Sequence, residues 1–262
     1  MKSIVITGST RGIGYGLADA FLSLGCSVTV SGRTATAVDG TVATLSTTHD
    51  PGWVNGQPCD VTEVGQVNAL WEAAIVRFGR VDIWINNAGV SNPQVAFWEH
   101  PPDRVRSVIE TNVTGAMYGA QVALTGMLAQ GSGAFYNMEG LGSGGRTVWG
   151  LALYGTTKAA LSYLTDALIE ETKELPVLVG AIRPGMVITD LITRPYDDRP
   201  GDWERAKGIF TILGDHVETV TPWLAQKVLD NDKHGVRIEW LTRSKILGRF
   251  ALAPFRKRDV FS

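Results

Sequence analysis

Tyr154 and Lys158 stand four residues apart in Tyr154-Gly155-Thr156-Thr157-Lys158, so a helix would carry the phenol and the ammonium on one face. A free phenol titrates near about 10 and is a poor proton shuttle at neutral pH. A neighbouring ammonium favours the phenolate and lowers that value, which would turn the pair into an acid–base device. Such pairs are common on solvated helices, so their meaning depends on what else the chain brings to them. The second chemical group is Gly8-Ser9-Thr10-Arg11-Gly12-Ile13-Gly14, between a β-branched run and a helical pattern of Ile13, Leu17, Ala20, Phe21 and Leu24. Glycines there let backbone N–H groups approach a pyrophosphate at the positive end of a helix. The strand–turn–helix context makes this a nucleotide cradle.

These groups need elements to position them, and the chain supplies an alternating series. Runs at 3–7, 27–31, 53–58, 81–86, 134–138, 177–183 and 237–241 read as strands. Helical patterns lie between them at 13–24, 64–78 and 153–175, the first stopped by Gly25 and the last by Pro176. Strands alternating with helices imply right-handed crossovers and a doubly wound parallel sheet, here of about seven strands. No linker or repeat divides residues 1–262, so a single α/β domain is expected.

Composition narrows the function. With 44% hydrophobic residues the chain can bury a sizeable core. Its 24 basic and 26 acidic residues, a net of −2, exclude a polycation that holds nucleic acid by charge. Cys26 and Cys59 make no disulfide framework, and the scattered His49, His100, His216 and His234 have no metal-ligand spacing, so no metal is expected. Residues 111–138 carry no charge, yet Asn112, Gln121, Gln130 and the Gly131-Ser132-Gly133 break suit a buried helix and strand. A transmembrane segment needs about 20 mostly apolar residues, and none is expected. The opening MKSIVITG reads directly as a strand, which leads to the expectation of a soluble, cytoplasmic protein.

The glycine spacing is Gly-x3-Gly-x-Gly rather than the Gly-x-Gly-x-x-Gly of other dinucleotide sites. With Thr7 before it, the pattern resembles the short-chain dehydrogenase/reductase superfamily, and matching motifs extend over roughly residues 3–190. The resemblance implies a Rossmann fold with a nicotinamide cofactor on Gly8, Ser9, Thr10, Arg11, Gly12, Ile13 and Gly14. Asp60-Val61 is similar to the family's adenine-contacting pair, and Asn86-Asn87-Ala88-Gly89 matches its NNAG motif. Both follow strands, at the carboxyl ends where open α/β sheets bind ligands. Asn112 matches the asparagine that holds a water in the family's proton relay, and Pro184, Gly185, Val187 and Thr189 match the turn flanking the nicotinamide. After the second strand the chain reads Ser31-Gly32-Arg33, with no carboxylate for a ribose 2′-hydroxyl. Arg33 and Arg11 suit a 2′-phosphate instead, so the expected cofactor is NADP(H).

On this resemblance Tyr154 is the general acid–base for hydride transfer between nicotinamide and a carbonyl or alcohol carbon. Lys158 lowers its pKa and bonds the nicotinamide ribose. The Tyr-x3-Lys spacing resembles ketoreductases, not the wider spacing of enoyl reductases. One position departs from the family. Where a Ser-Ser pair is usual, the chain reads Asn137-Met138-Glu139-Gly140-Leu141-Gly142-Ser143. Ser143 is expected to take the carbonyl-binding role, although a loop serine capping a turn is the alternative. Glu139 is left between bonding a polar substrate, bonding Arg146 and a purely structural role. This loop, with the ITGSTRGIGYGLA opening, resembles chlorophyll(ide) b reductase-type members, which reduce a formyl group on a tetrapyrrole; a shared loop is not a shared substrate.

Residues 190–215 correspond to the family's substrate-covering insertion, and their aromatics suit a bulky, partly apolar carbonyl compound or a plain packed helix equally well. The tail at about 242–262 interleaves bases with Ile246, Leu247, Phe250, Leu252 and Phe255, which suits oligomer packing or a flap over a neighbouring active site ahead of a membrane surface, with a solvated amphipathic end as the alternative. The superfamily implies a homodimer or homotetramer acting on a small molecule. The competing reading is a catalytically silent NADP(H)-binding sensor or scaffold, supported only by the displaced serine.

Overall fold

The seven apolar runs become one parallel sheet in the computed structural model, which describes residues 1–196, 200–255, 258, 260 and 261. The chain runs β1 (Ser3–Ile6), α1 (Gly12–Ser23), β2 (Ser27–Gly32), α2 (Ala35–Leu45), β3 (Val54–Pro58), α3 (Val64–Phe78) and β4 (Ile83–Asn86). It continues through α4 (Pro102–Ile109), a π-helical turn (Glu110–Thr114), α5 (Gly115–Gln130), β5 (Ala134–Met138), α6 (Ala152–Thr172) and β6 (Leu178–Arg183). Last come β7 (Met186–Val187), α7 (Asp190–Thr193), α8 (Pro200–Leu213), β8 (Gly214–Asp215), α9 (Val217–Leu229), β9 (Arg237–Glu239) and α10 (Arg243–Leu252).

The sheet order is β3-β2-β1-β4-β5-β6-β9, with all neighbours parallel. Every residue of β1, β2 and β4 is buried, as strands covered on both faces must be. Side chains alternate between two cores. Ile4 and Ile6 join Leu17, Phe21 and Leu224 on one face, whereas Val5 joins Leu70, Trp84 and Phe135 on the other. Strand order reverses between β1 and β4, which opens a crevice at the carboxyl ends of these two strands. Both the glycine loop and the NNAG segment leave the sheet there.

Residues 111–138, the uncharged stretch, form the end of the π turn, α5 and β5. No helix among the described residues is long and apolar enough to cross a membrane. The segment after β6 holds a feature too short for periodicity to reveal: β7 and β8 pair in parallel, Met186 with Gly214 and Val187 with Asp215. Of the residues in this segment, Asp197, Asp198 and Arg199 lie outside the described residues, as do Arg256, Lys257, Asp259 and Ser262 of the tail. The aromatics of α8 pack on one another and on the tail: the Trp203 ring lies 5.7 Å from Phe210 and 5.0 Å from Phe261. On α10 and beyond, Leu247, Phe250, Leu252 and Phe255 remain exposed.

Candidate active site

The glycine loop takes a conformation that dictates its residue types. Gly8 and Gly12 have φ of +63° and +56°, the left-handed region that glycine adopts without strain. At Gly14 a Cβ would lie 2.5 Å from the Gly8 carbonyl oxygen and from Asn87 Nδ2, so any side chain would close the turn. No side chain caps the N-terminus of α1, and its first turn carries no acid. An uncapped helix start with free N–H groups and a positive end favours an anion. These residues therefore fit the phosphates of a dinucleotide. Within the loop, Ser9 has a structural duty: its hydroxyl donates to Ile6 O and accepts from Ser31 N. Thr10 packs against Gly32, which brings the end of β2, and with it the exposed Arg33, beside the loop. Arg11 is also exposed and lies 3.7 Å from Asp190.

The segment after β4 is fastened to this loop. Thr7 Oγ1 accepts from the backbone N–H groups of Asn87 and Ala88, and Asn87 Nδ2 donates to the carbonyls of Thr7 and Gly8. Val61, after β3, lines a cleft with Thr7, Ala88 and Gly115. Asp60 turns one carboxylate oxygen onto the N–H and hydroxyl of Thr62.

Asn112 sits buried on the π turn, an irregularity common at functional sites. Its side chain accepts from Val90 N at 2.8 Å and donates to Val90 O and to Thr157 Oγ1. Gly89 lies against the same amide. Asn112 thus ties the NNAG segment to α6, the helix of Tyr154 and Lys158. A second tie escaped the sequence reading: buried Asn92 accepts from Tyr154 N and donates to Gly150 O. Asparagine in a loop carries no local mark of such a duty, so only the fold shows it.

Tyr154 and Lys158 share a face of α6, with the ammonium 5.7 Å from the phenol ring centroid. Tyr154 is half-buried and Lys158 is buried. Lys158 Nζ donates to Met138 O at 3.0 Å, at the end of β5. Burial pushes the phenol up to about 12, while burial pushes the ammonium down to about 8 against the pull of Glu139. The expected lowering of the tyrosine pKa by its lysine is therefore not achieved by the protein groups alone, because desolvation outweighs the neighbouring charge. A phenol held in its protonated form can donate a proton.

Gly140 stands beside the phenol: a Cβ there would lie 3.0 Å from Tyr154 Oη and 3.6 Å from Lys158 Cε. The Ser143 hydroxyl donates to Lys158 O and accepts from Gly140 N, so its one proton is spent within the protein. Glu139 is buried and accepts from Arg183 Nε at 2.6 Å, which answers the question of its partner: it is Arg183, with Arg237 nearby, and not the exposed Arg146. On the far side of the crevice, Gly185 has φ +76° and packs on Leu241, Pro184 and Val187 are buried, and Thr189 approaches Gly12.

Residues 2–199 match the model of the short chain dehydrogenase family. The chlorophyll(ide) b reductase NOL, chloroplastic, of Oryza sativa subsp. japonica is 34% identical over 274 residues, covering 98% of this chain and 78% of that protein. The probable chlorophyll(ide) b reductase NYC1, chloroplastic, of Arabidopsis thaliana is 31% identical over 262 residues, covering 94% of this chain and 52% of that protein. The chain thus spans about half the length of that relative. Among solved structures, ElxO with NADP bound superposes with a TM-score of 0.79 at 25% identity, covering 93% of this chain and 99% of that one. Both plant relatives are chloroplastic, which overturns the expectation of a cytoplasmic protein drawn from the opening residues.

Proposed function

The chain belongs to the short chain dehydrogenase family, a family of oxidoreductases, and on that premise we propose that it is an NADP(H)-dependent carbonyl reductase. The observation that carries this reading is the Tyr154–Lys158 pair on one helix, tied through Asn112 to the NNAG segment, which is itself bonded to the glycine loop ahead of the uncapped α1. NADP(H) is supported by Arg11 and Arg33, by the absence of a carboxylate after β2, and by the structural likeness to ElxO with NADP bound. The loop of residues 8–14 holds the phosphates, Asp60 and Val61 border the adenine, and Asn87, Ala88 and Gly89 support the nicotinamide half. Pro184, Gly185, Val187 and Thr189 wall the nicotinamide's other side. A bound nicotinamide supplies or takes the hydride.

The chain's own residues do the rest. Tyr154, kept protonated at neutral pH, donates its proton to the carbonyl oxygen as reduction proceeds, and accepts one in the reverse direction. Lys158, with a titration near 8, stabilises the phenolate that this leaves. Asn112 keeps α6 in register with the NNAG segment, and Ser143 holds the turn that sets Gly140 against the phenol. The missing side chain at 140 lets this turn approach the phenol and the lysine stem closely, and the substrate is a bulky, partly apolar carbonyl compound. A formyl-bearing tetrapyrrole is the first candidate, given what the plant relatives are named for. Exposed Met117 on α5 and Tyr163 on α6 support assembly as a homodimer or homotetramer.

The test is NADPH oxidation, followed by its near-ultraviolet absorbance, against a panel of bulky aldehydes and ketones that includes tetrapyrrole aldehydes. Turnover on at least one compound, with kcat lowered by roughly a hundredfold or more in Tyr154→Phe, is the expected result. Tight NADPH binding without turnover on any compound would favour the silent sensor.

A further inference from the structure

We propose that Glu139 is a positioning residue for Lys158: its carboxylate, anchored by Arg183 and Arg237, fixes the turn whose Met138 carbonyl receives the ammonium and keeps that ammonium charged. The proposal rests on the reductase reading for its purpose, but its test does not depend on turnover.

Lys158 is only 5% exposed, and the hydrogen bond from its ammonium goes to one backbone carbonyl, Met138 O. A neutral carbonyl does not balance a buried charge; a counter-ion is needed. The residue after that carbonyl is Glu139, whose side chain has no exposed surface. Its own N–H donates to Ile182 O, so β6 holds its backbone as well. Oε2 accepts from Arg183 Nε at 2.6 Å, and Oε1 lies 3.5 Å from Arg237 Nε without a hydrogen-bond donor of its own. Arg237 is drawn partly away, since its Nη2 donates to Asp166 at 2.6 Å. Oε1 is thus left buried without a hydrogen-bond donor, and Gly140 leaves no side chain between this turn and the lysine stem.

The groups facing this centre are few. Lys158 meets Tyr154 on its own helix and the Met138 carbonyl at the end of β5, with the charge of the next residue, Glu139, acting on it; Glu139 meets Arg183 from β6 and Arg237 from β9, and Asp166 of α6 enters through Arg237. Burial holds Lys158 at about 8, and Glu139 is the charge that acts against further lowering. Replacing Glu139 by a neutral residue leaves two guanidiniums that cannot shed a proton and one ammonium that can.

The experiment is an NMR titration of the whole protein with 13C-labelled lysine, the Lys158 ε-carbon signal being assigned by its loss in Lys158→Arg. Glu139→Gln is expected to move the Lys158 midpoint down by about one pH unit or more, and Glu139→Asp to leave it near the wild-type value. Arg183→Gln frees the carboxylate towards the lysine and is expected to move the midpoint up; loosening that admits water would also raise a desolvated ammonium, so the downward shift in Glu139→Gln is the direction that loosening does not produce. This variant also serves if Glu139→Gln does not fold. An unchanged midpoint in Glu139→Gln, or an unchanged or lowered one in Arg183→Gln, overturns the proposal. Absence of carbonyl turnover in the wild type would instead count against the reductase reading and leave the titration result standing.

Discussion

Ser143 and Gly140 show how a single side chain's placement redistributes roles within a motif. A hydroxyl has one proton to give, and Ser143 gives it to Lys158 O while receiving one from Gly140 N. A substrate carbonyl could use that proton only by breaking a bond that holds the turn. Ser143→Ala is therefore expected to lower stability by about 1 kcal/mol, read by denaturant unfolding, and to reduce kcat/KM by less than roughly tenfold. A loss of a hundredfold or more with unchanged stability would return the carbonyl to Ser143. Tyr154 differs in kind. Burial raises its pKa, which suits it to donate a proton rather than to rest as a base. The residue types of the glycine loop were legible in the sequence because backbone geometry leaves little choice: positive φ at Gly8 and Gly12 excludes most side chains. Glu139 was not legible, because its partner Arg183 lies 44 residues away and no local pattern announces the pair.

At the scale of elements, the π turn and the tail decide whether α6 and the segment after Thr189 stay in place. The sequence read 153–175 as helix, but α6 ends at Thr172, since a proline at 176 disfavours helix in the residues that precede it. The aromatic run after Thr189 could not be divided between lid and core from its composition. The structure ties it down through Asp215, which is buried at the end of β8. Its carboxylate accepts from Trp240 Nε1 at 2.7 Å, from Arg249 on α10 and from Arg258 in the tail, while Arg258 also reaches Ile212 O. Burial pushes this carboxyl up, but the hydrogen bonds from Trp240, Arg249 and Arg258 together pull it below its ordinary value. A depressed carboxylate contributes stability above its unfolded pKa and loses it as pH falls through the folded pKa, so the latch holds at neutral pH and weakens only below the ordinary carboxylate range. Asp215→Asn is expected to cost about 2–3 kcal/mol and to raise hydrogen exchange in β7 and α10. Exchange unchanged in both elements would show that the tail docks without this carboxylate.

For the whole molecule, the fold was readable because β-branched runs of the right length alternate with helical patterns, and burial on both faces demands that composition. What the sheet adds is the strand order, which sets the glycine loop, the NNAG segment and α6 around one crevice. The same order brings the end of β2 against the loop, so Arg33 stands beside the loop that carries Arg11, and both belong to the proposed site for a ribose phosphate. The two cations are not equivalent. Arg11 is shared with Asp190 at the start of α7, whereas Arg33 makes no ion pair among the described residues. Removing Arg33 therefore takes away charge that no carboxylate among the described residues was using. Arg33→Ala is expected to weaken NADPH binding by about tenfold, equivalent to about 1.4 kcal/mol, and to leave NADH binding nearly unchanged; Arg11→Ala should have the smaller effect. Because both side chains are exposed, raising salt from about 0.05 to 0.5 M should erode the NADPH preference, since charges there are screened within roughly a Debye length. Fluorescence titrations with both cofactors at the two ionic strengths check this, and equal losses for NADH and NADPH in Arg33→Ala would remove the 2′-phosphate from the argument.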